Sequence, residues 1–374
     1  MVREKGRQPS PHRPRGREIG IAPGTFDPGP LNAITDVSGV VVGQVTRIEG
    51  ADVRTGATAI LPHCGNLLQD RVPAGLAVAN GYGKMMGATQ IVELGEIETP
   101  IVLTNTLAVP RAAEAILDWT LSQPSNEKAV SINPVVGETN DGKLNAIEER
   151  ALTVEDARRA IEIAAPDPVE EGCVGAGTGT VAMGWKAGIG TSSRVLPTPS
   201  ERHTIGVLVQ ANFPGSLRVL HVPIGRILEP SNLAGSSGSA EDAGSILIVV
   251  ATDAPLADRN LTRLARRTFA GLARTGATFT NGSGDYAIAF SVAESVRRTP
   301  ERRAAESTVH EVPNERVSAL FEAVIEATEE AIYNALFAAT TMSGRGGRIV
   351  EALPIGRTVA LLRERAALGI DRSA

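Results

Sequence analysis

The chain has 374 residues, 42% of them hydrophobic, and a formal net charge of −5, which suits one large or two modest domains with a sizeable core. It lacks the basic footprint of a nucleic-acid binder outside its Arg-rich start, and no apolar run reaches the roughly 18 residues of a membrane helix. Two distant cysteines, Cys64 and Cys173, exclude a disulfide framework and a zinc cluster and read as small buried hydrophobes.

Taken in chain order, the segment up to Glu18 is rich in Arg, Pro and Gly and lacks the apolar stretch of a secretory signal. Residues 1–30 therefore read as a flexible tail, and the protein as cytoplasmic. Ordered sequence begins near Leu31, and residues 31–374 read as one domain. Val40 to Val45 and Thr55 to Pro62 are strand-like. Leu76 to Ala79 and Ile101 to Thr104 form short buried strands. Arg111 to Leu121 has helical periodicity, with Ala112, Ala115, Ile116 and Trp119 on one face.

A second helix covers Val154 to Ala165. The Gly-rich tract from Gly172 to Gly190 fails the dinucleotide fingerprint, because Thr180 stands where its last glycine belongs. Close backbone packing near a site is the better reading. Thr204 to Gln210 is a strand ending in Ala211-Asn212-Phe213. Ser231 to Ala240 is Gly/Ser-rich and aperiodic, a mobile loop. Leu261 to Leu272 is an amphipathic helix, Tyr286 to Ser291 a strand, and Arg316 to Thr340 the longest helix. Ile349 to Leu353 and Val359 to Leu362 close the chain. The irregular alternation favours layered sheets with helices outside over a regular βαβ array.

The run Ala243-Gly244-Ser245-Ile246-Leu247-Ile248-Val249-Val250 places Ser245 at the first position of a buried strand. A hydroxyl there can attack the carbonyl before it. Cleavage between Gly244 and Ser245 would leave one residue with both a nucleophilic hydroxyl and a basic amine. Equally, Gly-Ser before a strand is common and marks only a strand start. Asn281-Gly282-Ser283-Gly284-Asp285 precedes a second strand. It reads as a hairpin turn, or as a hydroxyl and a carboxylate sharing one side of a strand start. None of the five histidines forms a metal-binding pair, and an α-amine, with its ordinary pKa near 7.7–8.0, suits the task of base.

The segments Gly244 to Leu256, Leu264-Ala265-Arg266-Arg267 and Asn281 to Asp285 resemble the self-processing aminopeptidases, a family of L-aminopeptidase/D-esterases and β-peptidyl aminopeptidases. Asn32 to Val37, Val53 to Pro62, Pro134 to Gly142, Gly188 to Arg194 and Gly206 to Asn212 carry the resemblance upstream. It implies an α+β, four-layer αββα sandwich like that of the N-terminal-nucleophile hydrolases. It further implies self-cleavage into 1–244 and 245–374, and a homotetramer of the two-chain protomers.

By the same resemblance, Ser245 is the nucleophile, Ser283 and Asp285 support its amine, and Asn212 donates to the oxyanion. Asn140 stands where the D-esterase type carries Tyr, as in β-peptide-cleaving relatives. Glu138 would bind a substrate's ammonium, or else sit in a structural salt bridge. The implied activity is metal- and cofactor-free release of N-terminal β- or L-α-amino acids from short peptides, amides or esters with a free amino group. An acyltransferase of the ornithine acetyltransferase type and an unprocessed scaffold are the alternatives.

Overall fold

The computed structural model describes residues 13–197, 202–230 and 244–365. Nine main strands run in chain order: β1 (Val41–Glu49), β2 (Val53–Leu61), β3 (Val72–Gly81), β4 (Ile101–Asn105), β5 (Val135–Thr139), β6 (Ile189–Pro197), β7 (Arg202–Asn212), β8 (Ser245–Thr252) and β9 (Gly284–Ser291). The main helices are α1 (Val109–Leu121), α2 (Val154–Glu162), α3 (Asp258–Arg274), α4 (Ser318–Ala338) and α5 (Ile355–Glu364).

One sheet has the order β1-β2-β4-β5, with Met85–Met86 at its edge. The other has the order β6-β7-β8-β9-β3, ending on Glu96–Ile97. The pattern of β8 shows why the two sheets stack. Leu247, Val249 and Ala251 join Ile60, Leu103 and Val135 of the other sheet in a core between the sheets. Ile246, Ile248 and Val250 point the other way, into a core shared with Leu261 and Leu264 of α3 and Ala327 and Ala331 of α4. A continuous apolar run of this kind suits a strand buried on both faces. A third core joins the outer face of the first sheet to α1 and α2 through Ala59, Val102, Ile116 and Ile161. The layers are therefore helix, sheet, sheet, helix, as expected. Among the described residues no helix is long and apolar enough to cross a membrane.

Three readings need correction. Residues 13–30 are not a loose tail. Arg13 donates to the carbonyls of Phe337 (2.7 Å) and Leu353 (2.7 Å), and Arg17 pairs with Glu330 of α4 at 2.9 Å. Glu326 of α4 accepts from the backbone of Thr25 and Phe26, and Ile21 is fully buried. Carboxylates on one helix thus gather a segment whose composition alone reads as solvated; residues 1–12 lie outside the described residues. The cysteines are not core residues either: Cys64 is exposed, and Cys173 is half-buried against Thr340. Finally, Asn281 to Asp285 does not turn a hairpin, since β9 runs parallel to β8 and antiparallel to β3. The Gly172–Gly190 tract does pack backbone on backbone: a Cβ at Gly177 would meet the amide of Ile189 at 2.3 Å.

Candidate active site

Strand register assembles the site. β7 ends at Asn212, which pairs with Ser245, the first residue of antiparallel β8. Ser245 pairs in turn with Gly284, the first residue of parallel β9. Three strand termini therefore meet at one level, and all four candidate side chains, Asn212, Ser245, Ser283 and Asp285, are buried there.

The Gly284 N–H approaches both the carbonyl oxygen of Gly244 (3.1 Å) and Ser245 Oγ (3.3 Å). The carbonyl before Ser245 and its hydroxyl thus share one donor. Gly244 is itself fixed by contact: a Cβ there would lie 2.4 Å from Pro214 Cδ and 2.7 Å from the oxygen of Asn212. The segment expected to be a mobile loop, Ser231 to Ala240, lies outside the described residues.

Ser283 Oγ donates to Asp285 Oδ1 at 2.6 Å, so the two side chains do share one side of the strand start. Burial pushes the Asp285 carboxyl above its ordinary range, against opposing hydrogen bonds from Ser283 and the Ile246 N–H. Its Oδ2 is buried without a hydrogen-bond partner among the described residues. Asn212 Oδ1 accepts from the Val181 N–H (2.9 Å), and its Nδ2 donates to the carbonyl of Asn140 (3.0 Å). An amide nitrogen carries two N–H groups, so one is committed to Asn140.

The first sheet supplies the rest. Glu138, near the end of β5, is buried; it accepts from the Lys84 N–H (2.9 Å) and from the Thr106 hydroxyl. These partners are neutral, so they do not make it half of a salt bridge. Asn140 is exposed, and its Oδ1 accepts from the Gly142 N–H at 2.9 Å. Its tie to the site is the backbone carbonyl that Asn212 reaches. Two residues before Asn212, the Gln210 amide bridges the sheets to Thr104, Thr139 and Ala176.

With this geometry in view, the comparisons are specific. A family model described as "Peptidase family S58" matches residues 32–350. The chain belongs to peptidase family S58.

The β-peptidyl aminopeptidase BapA of Sphingosinicella microcystinivorans is 39% identical over 371 residues, covering 94% of this chain and 92% of that relative. A solved structure from Ochrobactrum anthropi, described as an L-aminopeptidase D-Ala-esterase/amidase and a new variant among the Ntn hydrolase fold, superposes with a TM-score of 0.87. It is 38% identical, and the match covers 96% of this chain and all of that one. A β-aminopeptidase from a Burkholderia species gives a TM-score of 0.85 at 39% identity, covering 96% and 99%. This S58 chain is thus a hydrolase of the aminopeptidase class with the Ntn-like α+β fold.

Sequence reasoning missed three residues beside the site. Thr106 was unmarked. Asp141 follows Asn140 and is fully buried; burial pushes its carboxyl up to about 7, against hydrogen bonds from Thr55 and Asn145. Lys186 is also fully buried, and its ammonium donates to the carbonyls of Gly177, Thr180 and Ala187. Asp141 lies in the Pro134 to Gly142 segment that carries the family resemblance, and its local spacing does not signal its burial.

Proposed function

We propose that this S58 protein cleaves itself between Gly244 and Ser245 and then removes N-terminal residues from short peptides, amides or esters. The observation that carries the reading is the meeting of Asn212, Ser245 and Gly284 at one level of the sheet. In the first reaction Ser245 Oγ bonds to the Gly244 carbonyl carbon and the C–N bond breaks. The hydroxyl proton ends on the released amine, and water then cleaves the ester. The Gly284 N–H is placed to polarise the scissile carbonyl.

In the second reaction Ser245 Oγ attacks the substrate carbonyl and its own amine accepts the proton. The leaving amine departs with that proton, and water releases the acyl group by the same route. The uncommitted N–H of Asn212 suits the oxyanion, a donor typically worth about 10²–10³ in kcat. Ser283 and Asp285 orient the amine, and the unpartnered Asp285 oxygen is a suitable acceptor for it.

A buried carboxylate without a cation beside it is costly. The ammonium of a substrate supplies that counter-charge at Glu138, which supports a requirement for a free amino group. Asn140 favours β-amino substrates by its likeness to the β-peptide-cleaving type. The proposal extends to a homotetramer of processed protomers in the cytoplasm, on the family resemblance alone.

The test is the pair Ser283→Ala and Asp285→Asn, assayed on α- and β-amino acid anilides. Each should lose at least tenfold in kcat with little change in KM, the pattern of an interaction made in the transition state. Wild-type turnover in both variants would remove them from the mechanism.

A further inference from the structure

Ser283 must be aimed at Asp285, yet the turn that carries it is short and rich in small residues. Within it the Ser283 N–H donates to the Thr280 carbonyl at 2.9 Å. The end of β3 reaches the turn from outside. There Asn80 pairs with Asp285 and Gly81 with Gly284, but Val78 pairs with Tyr286. Ala79 is therefore an extra residue, a β-bulge. Bulges next to active sites re-aim side chains, and this one brings the half-buried Asn80 amide onto the turn. Nδ2 donates to the Thr280 carbonyl at 2.6 Å and to the Ser283 carbonyl at 2.8 Å, with the Asn281 carbonyl farther off at 3.4 Å. The two close carbonyls match the two N–H groups of the amide. The Tyr82 N–H adds a second bond to the Ser283 carbonyl, and the Lys84 N–H reaches Glu138.

We propose that Asn80 is a positioning residue: the bulge at Ala79 presents its amide to the Thr280 and Ser283 carbonyls, and this clamp sets Ser283 Oγ on Asp285. The proposal rests on the reading of Ser283 and Asp285 as the support of the Ser245 amine. The Asn80 amide bonds backbone carbonyls of the turn and not the side chains of Ser245, Ser283, Asp285 or Asn212. It acts only through the turn, so its effect must vanish when Ser283 has no hydroxyl to aim.

The test is a double-mutant cycle on the full chain with Asn80→Ala, Ser283→Ala and the double variant, reading kcat and KM per processed protomer. Displacements near 1 Å in a catalytic group cost about 10²-fold, so Asn80→Ala should lower kcat between 10- and 100-fold and leave KM within about twofold. In the Ser283→Ala background the same change should cost less than about twofold. Asn80→Asp keeps the shape and loses both donors, and it gives the same readout where Asn80→Ala is recovered unfolded. Full additivity, a change confined to KM, or wild-type kcat in Asn80→Ala beside an impaired Ser283→Ala would overturn the clamp alone. Wild-type kcat in Ser283→Ala would overturn the reading beneath it, and the clamp with it.

Discussion

Gly244→Ala perturbs the scissile residue and leaves the nucleophile intact. A Cβ at 244 would lie 2.4 Å from Pro214 Cδ, 2.7 Å from the Asn212 carbonyl oxygen and 2.7 Å from Phe213 Cα. Ordinary contact begins at 3.4 Å, so relief requires a shift of about 3.4 − 2.4 = 1.0 Å. The atoms in the way belong to a proline ring and to backbone, neither of which yields by rotating a side chain. The carbonyl of residue 244 must therefore move relative to the Gly284 N–H and Ser245 Oγ. A misplacement of this size costs about 10²-fold in a positioned reaction. Self-cleavage of Gly244→Ala should slow by that order, followed as the loss of full-length chain on a denaturing gel over time. After cleavage residue 244 no longer bonds to the nucleophile, so kcat per processed protomer should fall far less. Cleavage at the wild-type rate would refute the steric argument.

Two further perturbations test the surroundings. Glu138→Gln removes the buried charge but keeps the shape, so KM should rise roughly tenfold for substrates with a free amine, a loss of about 1.4 kcal/mol in binding; unchanged KM would return Glu138 to a structural role. Asp141→Asn should change how stability depends on pH. The folded-state value of Asp141, about 7, lies above its ordinary 3.8, so the folded protein holds a proton that the unfolded chain releases earlier. The resulting stabilisation is complete below pH 3.8 and is lost as the pH rises through 7, on the order of 4 kcal/mol at most. Glu171, also pushed up to about 7 by burial, acts with the same sign. Thermal melts from pH 4 to 8 should therefore show a shallower decline for Asp141→Asn than for wild type, and equal declines would count against the buried proton.

The parts of this fold that were legible in the sequence bury apolar faces. The unbroken run of β8 and the long stripe of α4 declared both their type and their burial. β6 was not legible as a strand, because Thr191-Ser192-Ser193-Arg194 is polar and yet wholly buried. Its burial is made possible by distant partners: Thr191 bonds the Val207 carbonyl, Ser192 the Ala327 carbonyl, and Arg194 pairs with Glu326 and Glu330. The same glutamates explain why residues 13–30 are docked. Satisfied polar groups can be buried, but the satisfying partner lies far along the chain. At the site, local spacing left Ser245 and the Ser283–Asp285 pair open between a catalytic and a plain turn or strand-start reading, and the family resemblance gave them their roles. Thr106, Asp141 and the Asn80 clamp were not legible, since each depends on register between strands that only the folded sheet fixes.

The most direct measurement is the intact mass of the purified wild-type chain beside Ser245→Ala. Wild type should give two polypeptides divided between residues 244 and 245, with Ser245 as a new N-terminus, and should be active on amino acid anilides. Ser245→Ala should give one uncut, inactive chain. An uncut but fully active wild type, or a Ser245→Ala variant still divided at that bond, would contradict the assignment of Ser245 as the nucleophile of both reactions.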